Sequence, residues 1–185
     1  MRKKGTTKAV AFPLMLLVAS FASGTDQVVN AVHGTITKLD VGTKTVVVKT
    51  ADGTDHSVRF LDNTAVHGFH TAEEGAKGSF HDLKEGTEVV VHYSDAKGKD
   101  TAVEIDRVGK DGLKGTEGTI SKLDRAGKTI TVKTVDGTEH TFELTERAAD
   151  DGGKDIANGT EKGTKVVVYS TERTGKNIAH FFDKL

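Results

Sequence analysis

Three features of this 185-residue chain predict an all-β protein: two tandem five-stranded OB-like barrels of the Greek-key type, following a signal peptide. The hairpin sequence TVVVKTADGTDHSVRF at 45–60 returns as TITVKTVDGTEHTFEL at 129–144, and repetition at this spacing marks duplication of a folding unit. Ile130 and Val132 alternate with Thr129, Thr131 and Lys133, the period of a strand with one buried face. The third feature is the N-terminal leader. Arg2, Lys3, Lys4 and Lys8 precede a short apolar run and the small residues Ser20, Ala22, Ser23 and Gly24, a layout that predicts a cleavable signal over residues 1–24.

That run is about half the length of a bilayer-spanning helix, and no apolar run of 18 residues follows it, so no transmembrane span is expected after cleavage. The predicted location is periplasmic or secreted, with a retained N-terminal anchor around Pro13 as the alternative. Removing the leader takes four basic residues and no acidic one, turning 26 basic against 27 acidic into 22 against 27, a net charge of −5. A mildly acidic chain is a poor binder of nucleic acid, whose affinity comes from clustered Lys and Arg. The absence of cysteine excludes disulfides, thiolate metal sites and cysteine nucleophiles together.

At an offset of 84, Gly34–Phe60 matches Gly118–Leu144 with 15 of 27 positions identical. Further on the offset falls to 77, because the second copy lacks seven residues between its third and fourth strands. The first copy reads as strands GTITKLD, TVVVKT, DHSVRF, EVVVHY and TAVEIDRV, the second as GTISKLD, TITVKT, EHTFEL, KVVVYS and NIAHFF. These place a first barrel at 30–108, a glycine- and charge-rich linker at 109–114 and a second barrel at 115–185, with relative motion of the two as the default. Within each hairpin a two-residue Asp-Gly loop would mix core and solvent faces. A three-residue turn with glycine at positive φ instead sets Val46 opposite Val58 and Ile130 opposite Phe142, with Lys49 meeting Asp55 and Lys133 meeting Glu139 on the wet side.

The G-T-I-x-x-L-D opening, the TVVVKT or TITVKT strand, the DGT turn, the stretch Asp82-Leu83-Lys84-x-Gly86-x-x-Val89 and the closing Ala102-x-x-Ile105 strand together resemble a family of exported bacterial five-stranded barrel domains of unknown function. The resemblance covers nearly all of each copy and implies the fold without implying an activity. More loosely, the opening strand and the late K-x-G-x-x-V turn look like the periplasmic copper-carrying barrels of metal-efflux systems. That resemblance implies a site of one His, one Trp and two Met. Here Trp is absent and both methionines, Met1 and Met15, fall in the leader, so the copper site is not carried over.

The extra residues of the first copy lie in NTAVHGFHTAEEGAKGSFHDLKEG, which carries His67, His70 and His81 beside Glu73, Glu74 and Asp82. Three imidazoles with a carboxylate could hold Zn²⁺ or Cu²⁺; the same histidines also fit a solvated loop, with Phe69 and Phe80 pinning it over the barrel end. His56 and His140 repeat at equivalent rim positions. His33 matches Glu117, His92 matches Tyr169 and His180 matches Val103, so none of these three belongs to a shared site. No nucleophile elbow, zincin helix or phosphate loop occurs, and Glu73–Glu74 and Asp150–Asp151 sit in glycine-rich loops with nothing placing them across a cleft. The sequence therefore predicts a non-catalytic binding or scaffold module without a cofactor, its ligand a protein or extracellular polymer, and a metal-binding protein using the histidine cluster as the alternative.

Overall fold

Each copy opens on a strand too long for one neighbour. In a computed structural model describing residues 29–69, 79–95, 98–149 and 161–185, β1 (Val29–Asp40) and β7 (Lys114–Asp124) open the two copies. The leader, His70, Glu73, Glu74, Asp150 and Asp151 lie outside the described residues. The first half of β1 pairs with β5 (Glu88–Asp95) and the second half with β2 (Thr45–Lys49), changing partners at Thr35. Glycine stands just before the change in both copies for a steric reason. A Cβ on Gly34 would lie 2.3 Å from the Lys49 carbonyl oxygen, and one on Gly118 would lie 2.5 Å from that of Lys133.

The remaining strands are β3 (Asp55–Arg59), β4 (Ala65–His67), β6 (Asp100–Arg107), β8 (Thr129–Lys133), β9 (Glu139–Leu144), β10 (Lys165–Arg173) and β11 (Lys176–Lys184). All ten predicted strands are present, and β4 is an addition that the sequence pattern did not announce. The first sheet runs β3-β2-β1-β5-β6 and closes through a parallel β3–β6 bridge at Arg59 and Thr101. The second runs β9-β8-β7-β10-β11 and closes where Asn177–Ala179 lie parallel to Phe142–Leu144. In both, the first strand sits between the second and fourth, and the third pairs in parallel with the fifth, the OB-like Greek-key closure.

The hairpins adopt the predicted register. Val46 faces Val58, Lys49 faces Asp55, Ile130 faces Phe142 and Lys133 faces Glu139. Gly53 and Gly137 take φ of 88° and 87° in three-residue turns, and the Asp52 carboxylate accepts from the Thr50 hydroxyl and the Thr54 N–H, as Asp136 does from Thr134 and Thr138. Inside, Ile36, Val46, Val48, Val58 and Ile105 form one core, and Ile120, Ile130, Val132, Phe142 and Val168 the other, each with 1% of its surface exposed or less except Phe142 at 2%. Phe80 caps the first core, packed edge-on against Phe60.

A free-standing barrel strand alternates buried and exposed residues, yet Val89 to His92 of β5 are all buried. The outward side of β5 packs on the second barrel: Val90, Leu113, Tyr169 and Phe181 form a third apolar cluster, with Ala31, Val108 and Val167 against it. His33 lies over the Tyr169 ring with centroids 4.5 Å apart. Its Nδ1 is 3.1 Å from the Tyr169 hydroxyl and its Nε2 is 2.8 Å from Glu88. Since a carboxylate only accepts, the consistent arrangement has Nε2–H donating to Glu88 and the tyrosine O–H donating to Nδ1. The expected tether is a tight turn: Gly112 donates to Gly109 at 3.0 Å and Leu113 to Arg107 at 2.7 Å, with Leu113 in the shared cluster. The barrels are thus packed on one another, contrary to the independence that the linker's composition suggested.

Alanine at either switch glycine must push the first strand off its neighbour. Gly118→Ala is expected to cost about 1–3 kcal/mol in urea-induced unfolding, the range for overpacking in a filled site, and Gly34→Ala a similar amount. Gly86→Ala tests the steric cause by contrast, because a Cβ there meets nothing within 4 Å, so any loss comes from its φ of 81° alone.

Candidate metal centre

Alternation along β6 sends Ile105 into the core and turns Glu104 and Asp106 outward on the same face. β4 lies parallel beside β6 with Ala65, Val66 and His67 opposite Glu104, Ile105 and Asp106. Val66 is buried in the core, so His67 emerges on the outward side next to both carboxylates. One ligand atom from each of His67, Glu104 and Asp106 can be chosen so that all lie within 4.8 Å of one another. His67 Nε2 is 3.2 Å from Glu104 Oε1.

The second barrel faces this trio. Arg147, on the helical residues 146–149 after β9, pairs with Glu104 Oε2. His180 on β11 brings Nδ1 to 4.0 Å from Asp106 Oδ2, and its Nε2 lies 3.0 Å from the Thr171 hydroxyl. His67, Asp106, Arg107, Thr145, Thr171 and His180 line an open cleft of about 580 Å³ between the barrels. Side-chain exposure falls from 52% at His67 through 13% at Glu104 to 2% at Asp106, so the trio runs from solvent to the cleft floor.

Asp106 is the electrostatic anomaly. Neither of its oxygens accepts a hydrogen bond, although both are buried. Burial pushes its carboxyl up from 3.8 to about 6, against the opposing pull of His92 and His67. Burial, then the nearby His92, His67 and Arg147, push His180 down to about 4, so at neutral pH this imidazole is uncharged and supplies Asp106 with no counter-charge. Arg147 is also lowered by burial. Tyr169, in the apolar part of the interface, is pushed up to about 12 by burial and then by Glu88 and Asp183.

Of the predicted histidine set, His67 belongs to the trio. His81 sits exposed on the 3-10 turn Phe80–Asp82, edge-on to Phe80, and borders a separate depression with Lys44 and Thr64. His70 is outside the described residues. His56 and His140 are half-buried opposite Val48 and Val132 and stand outside the trio. The larger depression on the first barrel, about 930 Å³ beside the β1–β2 turn, contains no histidine.

Glu104, Asp106, Arg147 and His180 escaped the sequence reading. Glu104 and His180 carry a signal in divergence between the copies, Glu104 answering to Phe181 and Val103 to His180, whereas Asp106 is matched by Asp183 and carries none. An unshared histidine is outside any site that both copies carry. A site between the copies requires the opposite, because its two halves do different work.

The unpaired carboxylate has a pH signature. Its folded value lies above its unfolded one, so the native state holds the extra proton. The stability this group contributes is therefore complete below about pH 3.8 and is lost as pH rises through about 6. Asp106→Asn imitates the neutral acid. Its advantage in unfolding free energy over the parent should grow from about pH 4 to about pH 6 and then level, at a slope of at most about 1.4 kcal/mol per pH unit. Parallel pH profiles for the two proteins would contradict the assignment.

No family model matches the chain, and no curated protein matches it. Solved structures similar to it include Ag(I)CusF, at 13% identity and a TM-score of 0.31, covering 43% of this chain and 96% of that one, and apo-CusF residues 6–88 from Escherichia coli, at 13% identity and a TM-score of 0.33, covering 47% and 95%. Less than half of this chain is covered in each case, and neither assigns a role to any residue here.

Proposed function

We propose that this protein is a non-catalytic module that binds a divalent transition-metal cation, Zn²⁺ or Cu²⁺, in the cleft between its barrels, with His67, Glu104 and Asp106 as ligands. The observation that carries the reading is Asp106: a carboxylate 1% exposed with no hydrogen-bond donor on either oxygen. Leaving such a group ionised costs several kcal/mol in the absence of a compensating charge. A divalent cation between that carboxylate, a second one and an imidazole supplies the compensation.

The donor set selects the metal class. Imidazole suits Zn²⁺ and Cu²⁺, and carboxylate oxygens exclude a preference for soft monovalent ions. No thiolate exists in the chain. Ligand atoms around zinc sit about 2.0–2.2 Å from the ion and hence about 3.4 Å from one another, so the trio must close by on the order of 1 Å. The half-exposed His67 has room to swing inward. An envelope or extracellular setting rests on the N-terminal sequence alone; no helix among the described residues is long and apolar enough to cross a membrane.

A protein or extracellular-polymer ligand is the second reading, favoured by the depression beside the β1–β2 turn. Its flanking charges Lys44 and Asp62 already satisfy each other at 2.6 Å, which leaves the metal reading ahead.

Calorimetric titration of the full chain with Zn²⁺ and Cu²⁺ tests the proposal. One saturable site is expected, with His67→Ala and Asp106→Asn each weakening it about tenfold or more. Absence of saturable heat, or variants that bind like the parent, overturns it. His70→Ala and His81→Ala identify the alternative: if these abolish binding while Asp106→Asn does not, the ion belongs to the loop histidines 67, 70 and 81.

A further inference from the structure

We propose that the second barrel supplies a fourth ligand, His180 through Nδ1, so that one cation is held jointly by both barrels. This rests on the cleft site just proposed and adds to it the ligand that makes the site bipartite.

The local backbone explains how His180 comes to point there. Pairing between β10 and β11 matches Tyr169 with Phe181 and then Ser170 with Ala179, skipping His180. The skipped residue is a β-bulge, a device that re-aims a side chain out of the regular alternation. The first copy has the same bulge, matching His92 with Glu104 and Tyr93 with Ala102 and skipping Val103. A valine at the bulge of one copy and a histidine at that of the other is a difference without a folding purpose, since the bulge forms with either.

The imidazole is also oriented as a ligand should be. Its Nε2 lies 3.0 Å from the Thr171 hydroxyl, which can accept Nε2–H, the arrangement that leaves the Nδ1 lone pair for a metal ion. Metal-bound histidines characteristically donate their other ring N–H in this way. Nδ1 lies 4.0 Å from Asp106 Oδ2, against about 3.4 Å for two ligands on one zinc ion. A shift of roughly half an ångström brings this pair to that spacing, and His67 and Glu104, which with Asp106 span up to 4.8 Å, must close the remaining distance to complete the set. The result is two imidazoles and two carboxylates, with β4 and β6 of the first barrel on one side of the ion and β11 of the second on the other.

Full-length parent protein and His180→Val, the residue that the first copy carries at this bulge, are compared by zinc competition titration and by the visible absorption of the Co²⁺ form. The parent should bind Co²⁺ with the intense bands of a four-coordinate ion. His180→Val should lose about tenfold or more in affinity and shift to weaker bands, and Thr171→Val should lower affinity while keeping the parent spectrum. Metal-free melting curves identify a misfolded variant, in which case His180→Gln takes its place with the same expectation. If the parent binds and His180→Val or His180→Gln matches it in affinity and spectrum, the fourth ligand is refuted and the trio stands. A parent that binds neither ion refutes both.

Discussion

Burial of the outward face of β5 against the second barrel is the constraint on which the other features depend. A strand in an isolated small barrel has one face for the core and one for water, and here the second face is taken from water as well. Val90 and the apolar residues around Leu113, Tyr169 and Phe181 make that contact favourable, because apolar area leaves solvent on both barrels at once. Polar groups on the same faces are then carried inward whether or not they find partners. His33 finds Tyr169 and Glu88. Asp106 does not.

The two outcomes mark the division between scaffold and site. The His33–Tyr169–Glu88 chain has its hydrogen-bonding capacity matched by protein groups, which fits a structural contact that fixes how the barrels meet. The Asp106 region combines a buried carboxylate, a second carboxylate held by Arg147 and two imidazoles facing a cleft. Perturbed ionisation together with an accessible cavity is the combination expected where a ligand binds. Arg147 also gives Glu104 a cationic partner of its own, so an arriving metal ion competes with a guanidinium for that carboxylate.

The fold was readable from sequence because its determinants are local. Val46 opposite Val58 and Ile130 opposite Phe142 follow from strand period plus turn length, and both lie within one hairpin. β4 was not readable: Ala65–His67 is three residues long and gains its structure from β6, about forty residues away. The interface was half-readable. EVVVHY holds the unbroken apolar run Val89 to Val91, of the kind buried on both faces, yet alone it does not say what covers it. The site was the least legible part, since His67, Glu104 and Asp106 converge through the β4–β6 pairing and Arg147 and His180 through inter-barrel packing. His180 has no counterpart in the first copy, and such asymmetry is what a boundary between the copies produces.

Similarity of the two hairpins, identical at 8 of 16 positions, has a consequence for assembly of the chain. β2–β3 and β8–β9 present almost the same pairing edges, so during folding the opening strand of one copy can zip onto the hairpin of the other, or onto that of a neighbouring molecule. Such crossed intermediates are the characteristic failure of duplicated domains. Discrimination falls to the late strands, where β6 and β11 differ most. The residues that distinguish the copies at their boundary thereby also act as the address labels that return each half to its own barrel.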